Sequence, residues 1–369
     1  VRVLVAPDCF GGTLTARAAA HAVAEGWRAA APADELLLRP LADGGPGFVD
    51  VLHSALGGTL RERTVTGPLG EPVRAVWLEH EGTAYVESAQ ACGLHLAPAD
   101  RRRPEEATSR GVGELLAAAR DAGARTAVVG LGGSATTDGG AGALAALGAT
   151  PVDAAGRPLP AGGGSLARCA GLAGRPDLGG LQLVAAADVE NPLLGRHGAA
   201  HVFGPQKGAD DAAVRRLEAG MAHWAEVLAA ATGREVRDEP GAGAAGGLGA
   251  ALLALGARRE SGADLVRRLT GLDAAMDRAD LVVTGEGSFD WQSLRGKLVT
   301  AVARGAAERG VPCLVLAGQV SVGRREAAAA GVATAYSVAE HVGSVAASLA
   351  DPTGTLTALA ADVAAQWSR

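Results

Sequence analysis

The chain has 369 residues, 48% hydrophobic and 20% charged, a balance that excludes a disordered chain and gives length enough for two domains. Its net charge of -6 is spread without a long basic run, which argues against nucleic acid as the main partner and leaves Arg101-Arg102-Arg103 as a solvated loop. Aromatic residues are only 3% against 54 glycines, so the core must be built from Ala, Val and Leu with many close backbone approaches.

The first strand is expected from Val1 to Ala6, ending in Pro7-Asp8-Cys9-Phe10-Gly11-Gly12. Thr13 reads as the N-cap of an Ala-rich helix reaching about Ala30. A second strand, Glu35 to Arg39, ends in Leu41-Ala-Asp-Gly-Gly-Pro-Gly47 and is followed by a helix from about Phe48 to Leu56. Two strand–loop–helix units in succession indicate an α/β sheet whose strand C-termini carry the site. The texture then changes: Thr59 to Thr66, Pro72 to Leu78 and Thr83 to Glu87 alternate and predict an antiparallel or mixed sheet. A helix from Val112 to Ala122 leads into a strand from Thr126 to Val129.

The loop after that strand holds Gly130, Gly132, Gly133, Gly139 and Gly140, with Ser134, Thr136, Thr137 and Asp138 between them, before an Ala/Leu helix. Glycines and a helix N-terminus of this kind suit a phosphate, and suit a tight strand-to-helix turn equally well. Neither a Walker A lysine nor the G-x-G-x-x-G dinucleotide spacing is present. Gly162-Gly-Gly-Ser165 reads as a flexible linker or lid hinge. Leu181 to Ala187 predicts a strand ending at Asp188, and Ala212 to Thr232 a helix with Leu217, Met221 and Trp224 on its core face. The first texture returns with strands at Asp280 to Thr284, Pro312 to Ala317 and Val332 to Ser337, and a closing helix from Thr353 to Trp367.

The simplest architecture is a Rossmann-like parallel-sheet domain made of residues 1–58 and 279–369, with a second α/β domain, 59–278, inserted and the active site expected in the cleft between them. Cys9, Cys92, Cys169 and Cys313 lack C-x-x-C spacing and suit reduced thiols in the cytoplasm. No signal peptide is expected. The most apolar stretch, Gly241 to Ala257, is too short and glycine-rich for a membrane span. His197 and His201, four apart around Gly198, read as loop residues.

Carboxylates recur at the expected strand ends: Asp8, Asp43, Asp138, Asp188, and Glu286 with Asp290. Singly, each suits a turn or helix cap. Together, beside glycine loops, they suit phosphoryl transfer, where backbone donors hold phosphates and carboxylates hold Mg²⁺ or orient the accepting hydroxyl. Lys207 and Lys297 stand out because almost every other cation is Arg; each reads as a phosphate contact or as a surface charge.

The motifs resemble those of the glycerate kinase family, the bacterial glycerate 2-kinase type. The matching blocks include Leu131-Gly-Gly-Ser-Ala-Thr-Thr-Asp-Gly-Gly140, Asp188-Val-Glu-Asn-Pro-Leu-Leu-Gly195, Phe203-Gly-Pro-Gln-Lys-Gly-Ala209 and Thr284-Gly-Glu-Gly-Ser-Phe-Asp-Trp-Gln292. The resemblance runs in order over essentially the full length. It implies ATP- and Mg²⁺-dependent phosphorylation of glycerate to a phosphoglycerate, usually 2-phosphoglycerate. On that basis Asp188 and Lys207 are the expected catalytic residues. Asp8, Gly132, Gly133, Ser134, Thr136, Asn191 and Lys297 are expected to bind substrate or phosphate, and Asp43, Asp138, Glu286 and Asp290 to hold metal. The expected partners are ATP and a small hydroxy acid, with a homodimer possible and neither nucleic acid nor membrane involved. Three positions depart from the family pattern: Gly11 stands for a usual Lys, Pro46 for a usual Glu and Thr137 for a usual Asn. Loss of the first two charges leaves open a different hydroxy acid or polyol, or a ligand-binding paralogue without turnover.

Overall fold

The computed structural model describes residues 1–295 and 298–368, and the chain divides into two compact units. One comprises Val1–Ala42, Asp50–Leu56 and the chain from Ala263 onward; the other comprises Asp43–Val49 and Gly57–Gly262.

The first unit is built on five parallel strands in the order Thr334–Ser337, Cys313–Ala317, Leu281–Thr284, Arg2–Val5, Glu35–Leu38. Counted along the chain within this unit, the order is 2-1-3-4-5, a doubly wound sheet. The winding reverses between Arg2–Val5 and Leu281–Thr284. The central strands are apolar at successive positions because both faces are covered: Val3, Leu4, Val5, Val282, Leu314 and Val315 are all buried. On one face helix Ala16–Ala30 crosses helix Pro352–Trp367 so closely that a Cβ on Gly26 would lie 2.0 Å from the Thr357 carbonyl oxygen. Helix Leu298–Glu308 packs on strands Leu281–Thr284 and Cys313–Ala317. The helix cap differs from expectation. Thr15, not Thr13, accepts the Ala18 N–H at 3.1 Å, while the Thr13 hydroxyl donates to the Phe10 carbonyl in the preceding turn.

The second unit carries a six-stranded mixed sheet in the order Arg258–Glu260, Gln182–Ala186, Thr126–Gly130, Thr83–Glu87, Pro72–His80, Thr59–Thr66. The first four strands are parallel to one another and the last two join by antiparallel pairing. Helix Arg110–Asp121 supplies Val112, Leu115 and Leu116 to a core shared with strands Thr83–Glu87 and Thr126–Gly130. Leu217, Met221 and Trp224 of helix Asp211–Thr232 are fully buried, as their helical spacing implied. The stretch 162–165 is not a linker. It opens a 3₁₀ helix, Gly163–Arg168, with Ser165 and Leu166 buried; a Cβ on Gly163 would lie 2.1 Å from the Thr137 carbonyl oxygen. Its glycines serve packing rather than flexibility. Among the described residues no helix is long and apolar enough to cross a membrane.

Candidate active site

In an open parallel sheet, the loops leaving the two strands at the switch point diverge and leave a crevice at their carboxyl ends. Here those strands are Arg2–Val5 and Leu281–Thr284, and their loops hold Asp8 to Gly12 and Glu286 to Asp290. The Asp8 N–H donates to the Gly285 carbonyl at 2.8 Å, so the two chains stay tied just past the sheet. Beyond this point a short parallel pair forms between Ser288–Phe289 and Gln319–Val320, with the Gly318 N–H bonded to the Glu286 carbonyl at 3.1 Å. These ties leave a cavity of about 450 Å³ lined by Asp8, Gly11, Glu286 and Asp290 from the strand-end loops and by Val338, Val345, Leu349 and Leu356 from the helices beyond Ser337. Asp8 and Asp290 are held by local turns: Asp8 Oδ1 accepts the Cys9 N–H at 2.7 Å, and Asp290 Oδ1 accepts the Gln292 N–H at 2.7 Å. Three of the expected acidic residues thus share one cavity.

The glycine loop of the second unit is built differently. Its close approaches are to the chain's own backbone: a Cβ on Gly132 would lie 2.5 Å from the Gly45 Cα, and one on Gly130 2.4 Å from the Gly44 carbonyl oxygen. Pro46, the position of a departure, packs its ring where a Cβ of Gly133 would go, 2.8 Å from Cγ. The following helix, Ala141–Ala146, does not present a bare N-terminus, because the Asp138 carboxylate occupies it. Asp138 is fully buried and accepts from the Ser109 N–H and hydroxyl, both at 2.8 Å, and from the N–H groups of Gly140 at 3.1 Å and Gly142 at 3.2 Å. Burial pushes this carboxyl up in pKa, against the four donors that favour its ionised form. Asp138 was expected as a metal ligand; here its oxygens brace the loop and the helix start.

Lys207 reaches into the same loop from the turn Pro205–Lys207. Its ammonium is 3% exposed and donates to Ser134 Oγ at 3.1 Å and to the Thr136 carbonyl at 2.5 Å. Burial lowers its pKa to about 8, with the Asp138 carboxylate opposing the shift. Lys207 is thus a buried cation beneath the loop, and Ser134 and Thr136 meet it directly. Thr137 Oγ1 is buried there without a hydrogen-bond partner among the described residues.

The remaining expected residues lie in other loops. Asp188 is exposed just past strand Gln182–Ala186, with Ser261 Oγ donating to its Oδ1 at 2.7 Å. The Asn191 side-chain amide donates to the His197 carbonyl at 2.7 Å, bracing its own loop. Asp43 is exposed and accepts the Gly45 N–H at 3.0 Å in an Asx turn. Lys297 lies outside the described residues. Among the described residues no group of three His, Cys, Asp or Glu side chains is placed to hold a metal ion.

Two polar residues went unnoticed in the sequence. Glu87, 2% exposed at the end of strand Thr83–Glu87, accepts from the N–H groups of Gly47 at 3.1 Å and Val49 at 3.3 Å, and so anchors the loop that carries Asp43. Ser109 holds Asp138 and accepts the Ala143 N–H at 3.1 Å. The available signal for Glu87 was a carboxylate closing an otherwise buried strand, which demands a partner.

Comparison with known proteins gives a consistent result. The sequence model of the glycerate kinase family matches residues 3–368. An uncharacterised protein of Mycobacterium tuberculosis is 50% identical over 370 residues, covering 99% of this chain and 91% of the relative. The glycerate 2-kinase of Escherichia coli K12 is 43% identical over 331 residues, covering 87% and 86% respectively. A crystal structure from Salmonella typhimurium LT2 assigned as glycerate kinase 2 superposes with a TM-score of 0.82 at 37% identity, covering 100% of this chain and 98% of that one.

Proposed function

The chain belongs to the glycerate kinase family, and from that membership we propose that it transfers the γ-phosphoryl group of ATP to the 2-hydroxyl of glycerate, giving 2-phosphoglycerate. The observation that carries the reading is the cavity at the switch point of the first unit, which Asp8, Glu286 and Asp290 all line. Phosphoryl transfer asks little covalent chemistry of a protein; it asks for positioning and for neutralisation of charge on the transferred group. Mg²⁺ is commonly held by one or two carboxylates together with substrate phosphates. Hard oxygen donors in one cavity fit that demand, with Glu286 and Asp290 as the residues that would hold it. When bound, the ion supplies charge neutralisation at the phosphates.

In the second unit Asp188 is the carboxylate read as orienting and deprotonating the attacking hydroxyl, its Oδ1 held by the Ser261 hydroxyl. Lys207 holds the segment from Ser134 to Thr136 and contributes positive charge beneath it. In this reading Gly132, Gly133 and Ser134 offer backbone and hydroxyl donors to an anionic group. The four cysteines, without C-x-x-C spacing, suit a reducing compartment such as the cytoplasm.

The test is ³¹P NMR of the product formed from Mg²⁺, ATP and either D- or L-glycerate. A 2-phosphoglycerate signal that depends on enzyme supports the reading. A 3-phosphoglycerate signal overturns the position, and turnover confined to other hydroxy acids or polyols overturns the acceptor. In that last case Gly11 and Pro46 become the first positions to examine.

A further inference from the structure

The cavity of the first unit is lined by two unlike sets of side chains. Asp8, Glu286 and Asp290 from the strand-end loops are acidic. The helices beyond Ser337 supply apolar ones, of which Val345 is 38% exposed and Leu349 is 56% exposed. They stand four residues apart on helix Val345–Ala350 and so share one face, and the buried Leu356 lines the same cavity. The hydroxyls along this wall are already used, Ser348 donating to the Val345 carbonyl at 3.0 Å and Thr355 to the Asp351 carbonyl at 2.7 Å. What the wall offers an occupant is apolar surface rather than hydrogen bonds.

Glycerate has no apolar part to set against that wall, and as a bare anion it gains nothing from three carboxylates. A nucleoside triphosphate with its divalent cation matches both sets: a flat base for the apolar side chains and a cation for the acidic ones. The volume, about 450 Å³, lies in the range of small-molecule sites. We infer that the base of ATP packs on Val345 and Leu349, making this helix face the nucleotide-base subsite. The inference rests on the reading of ATP as phosphoryl donor.

The test is equilibrium titration of the full-length protein with MgATP, without glycerate, followed by steady-state kinetics in both substrates. Because Leu349 is exposed, its replacement leaves the core intact, and melting temperature serves as the fold control. Leu349→Ala is expected to weaken MgATP binding about tenfold and Leu349→Asp more, while Leu349→Met stays near wild type. The KM for glycerate stays unchanged. Equal MgATP affinity in all three variants overturns the inference, as does a change that falls on glycerate KM in place of ATP. If the wild-type protein leaves glycerate untouched while the Leu349 series still grades MgATP binding, the acceptor reading fails and the subsite stands. If glycerate turns over normally and the series binds MgATP alike, the subsite fails and the acceptor reading stands.

Discussion

The loop at Glu286 to Asp290 and the loop at Gly130 to Asp138 look alike as sequence: a buried strand, glycines, a small hydroxyl residue and a carboxylate. Their carboxylates meet opposite fates. Asp138 has no exposed surface and four donors, so it is a structural acceptor inside its own unit. Asp290 is partly exposed and borders a cavity with Asp8 and Glu286. The lesson is that a strand-end carboxylate beside glycines marks a place where the backbone needs an acceptor. Whether any acceptor capacity is left for a ligand depends on how many N–H groups point at it.

The sharpest way to break this contrast is to remove each carboxylate in turn. Asp138→Ala strands the buried N–H groups of Ser109, Gly140 and Gly142, and is expected to cost on the order of 3–5 kcal/mol of stability, read as a lower urea midpoint. An unchanged midpoint with lost turnover would return Asp138 to the list of ligands. Asp290→Asn is expected to leave melting within about 2 °C of wild type and to lower kcat roughly a hundredfold. Asp188→Asn should behave similarly, through loss of general-base assistance, with roughly a hundredfold fall in kcat and little change in either KM. Full activity in that variant would remove Asp188 from the mechanism.

Lys207 sharpens the comparison through pH. Its folded pKa is about 8, below the ordinary 10.5, because burial disfavours the charge. Between pH 8 and 10.5 the unfolded chain holds a proton that the folded chain has released, so this group makes stability rise with pH across that window. Any role of the ammonium is lost over the same rise. Turnover is therefore expected to fall as pH passes about 8 while chemical-denaturation midpoints do not fall with it. A flat pH–rate profile from 7 to 9.5 would mean that the cation serves architecture alone.

The smallest effect is expected at Gly11. Its φ is +48°, a left-handed conformation that costs a side chain roughly 1–2 kcal/mol, yet no atom of the described residues lies within 4 Å of an added Cβ. Gly11→Lys should fold with slightly reduced stability and place a cation on the strand-end loops that line the cavity, shifting the KM for one substrate by less than about tenfold. A change of acceptor preference in the same variant would mark position 11 as a determinant of specificity.

The sequence by itself determined the class of fold, because periodicity and strand-end punctuation are local properties. Helix Phe48–Leu56 and strands Thr59–Thr66 and Thr83–Glu87 lie where their patterns indicated, and the long apolar face of Asp211–Thr232 packs inward as spaced. Strand order was not local. The 2-1-3-4-5 sheet and its switch point depend on pairing between Arg2–Val5 and Leu281–Thr284, hundreds of residues apart, and that pairing alone brings Asp8, Glu286 and Asp290 to one cavity. Tertiary structure also decided what the glycines were for. Gly132 and Gly163 admit neighbouring backbone, a use that composition cannot distinguish from admitting a phosphate or a hinge, since all three require the same missing Cβ.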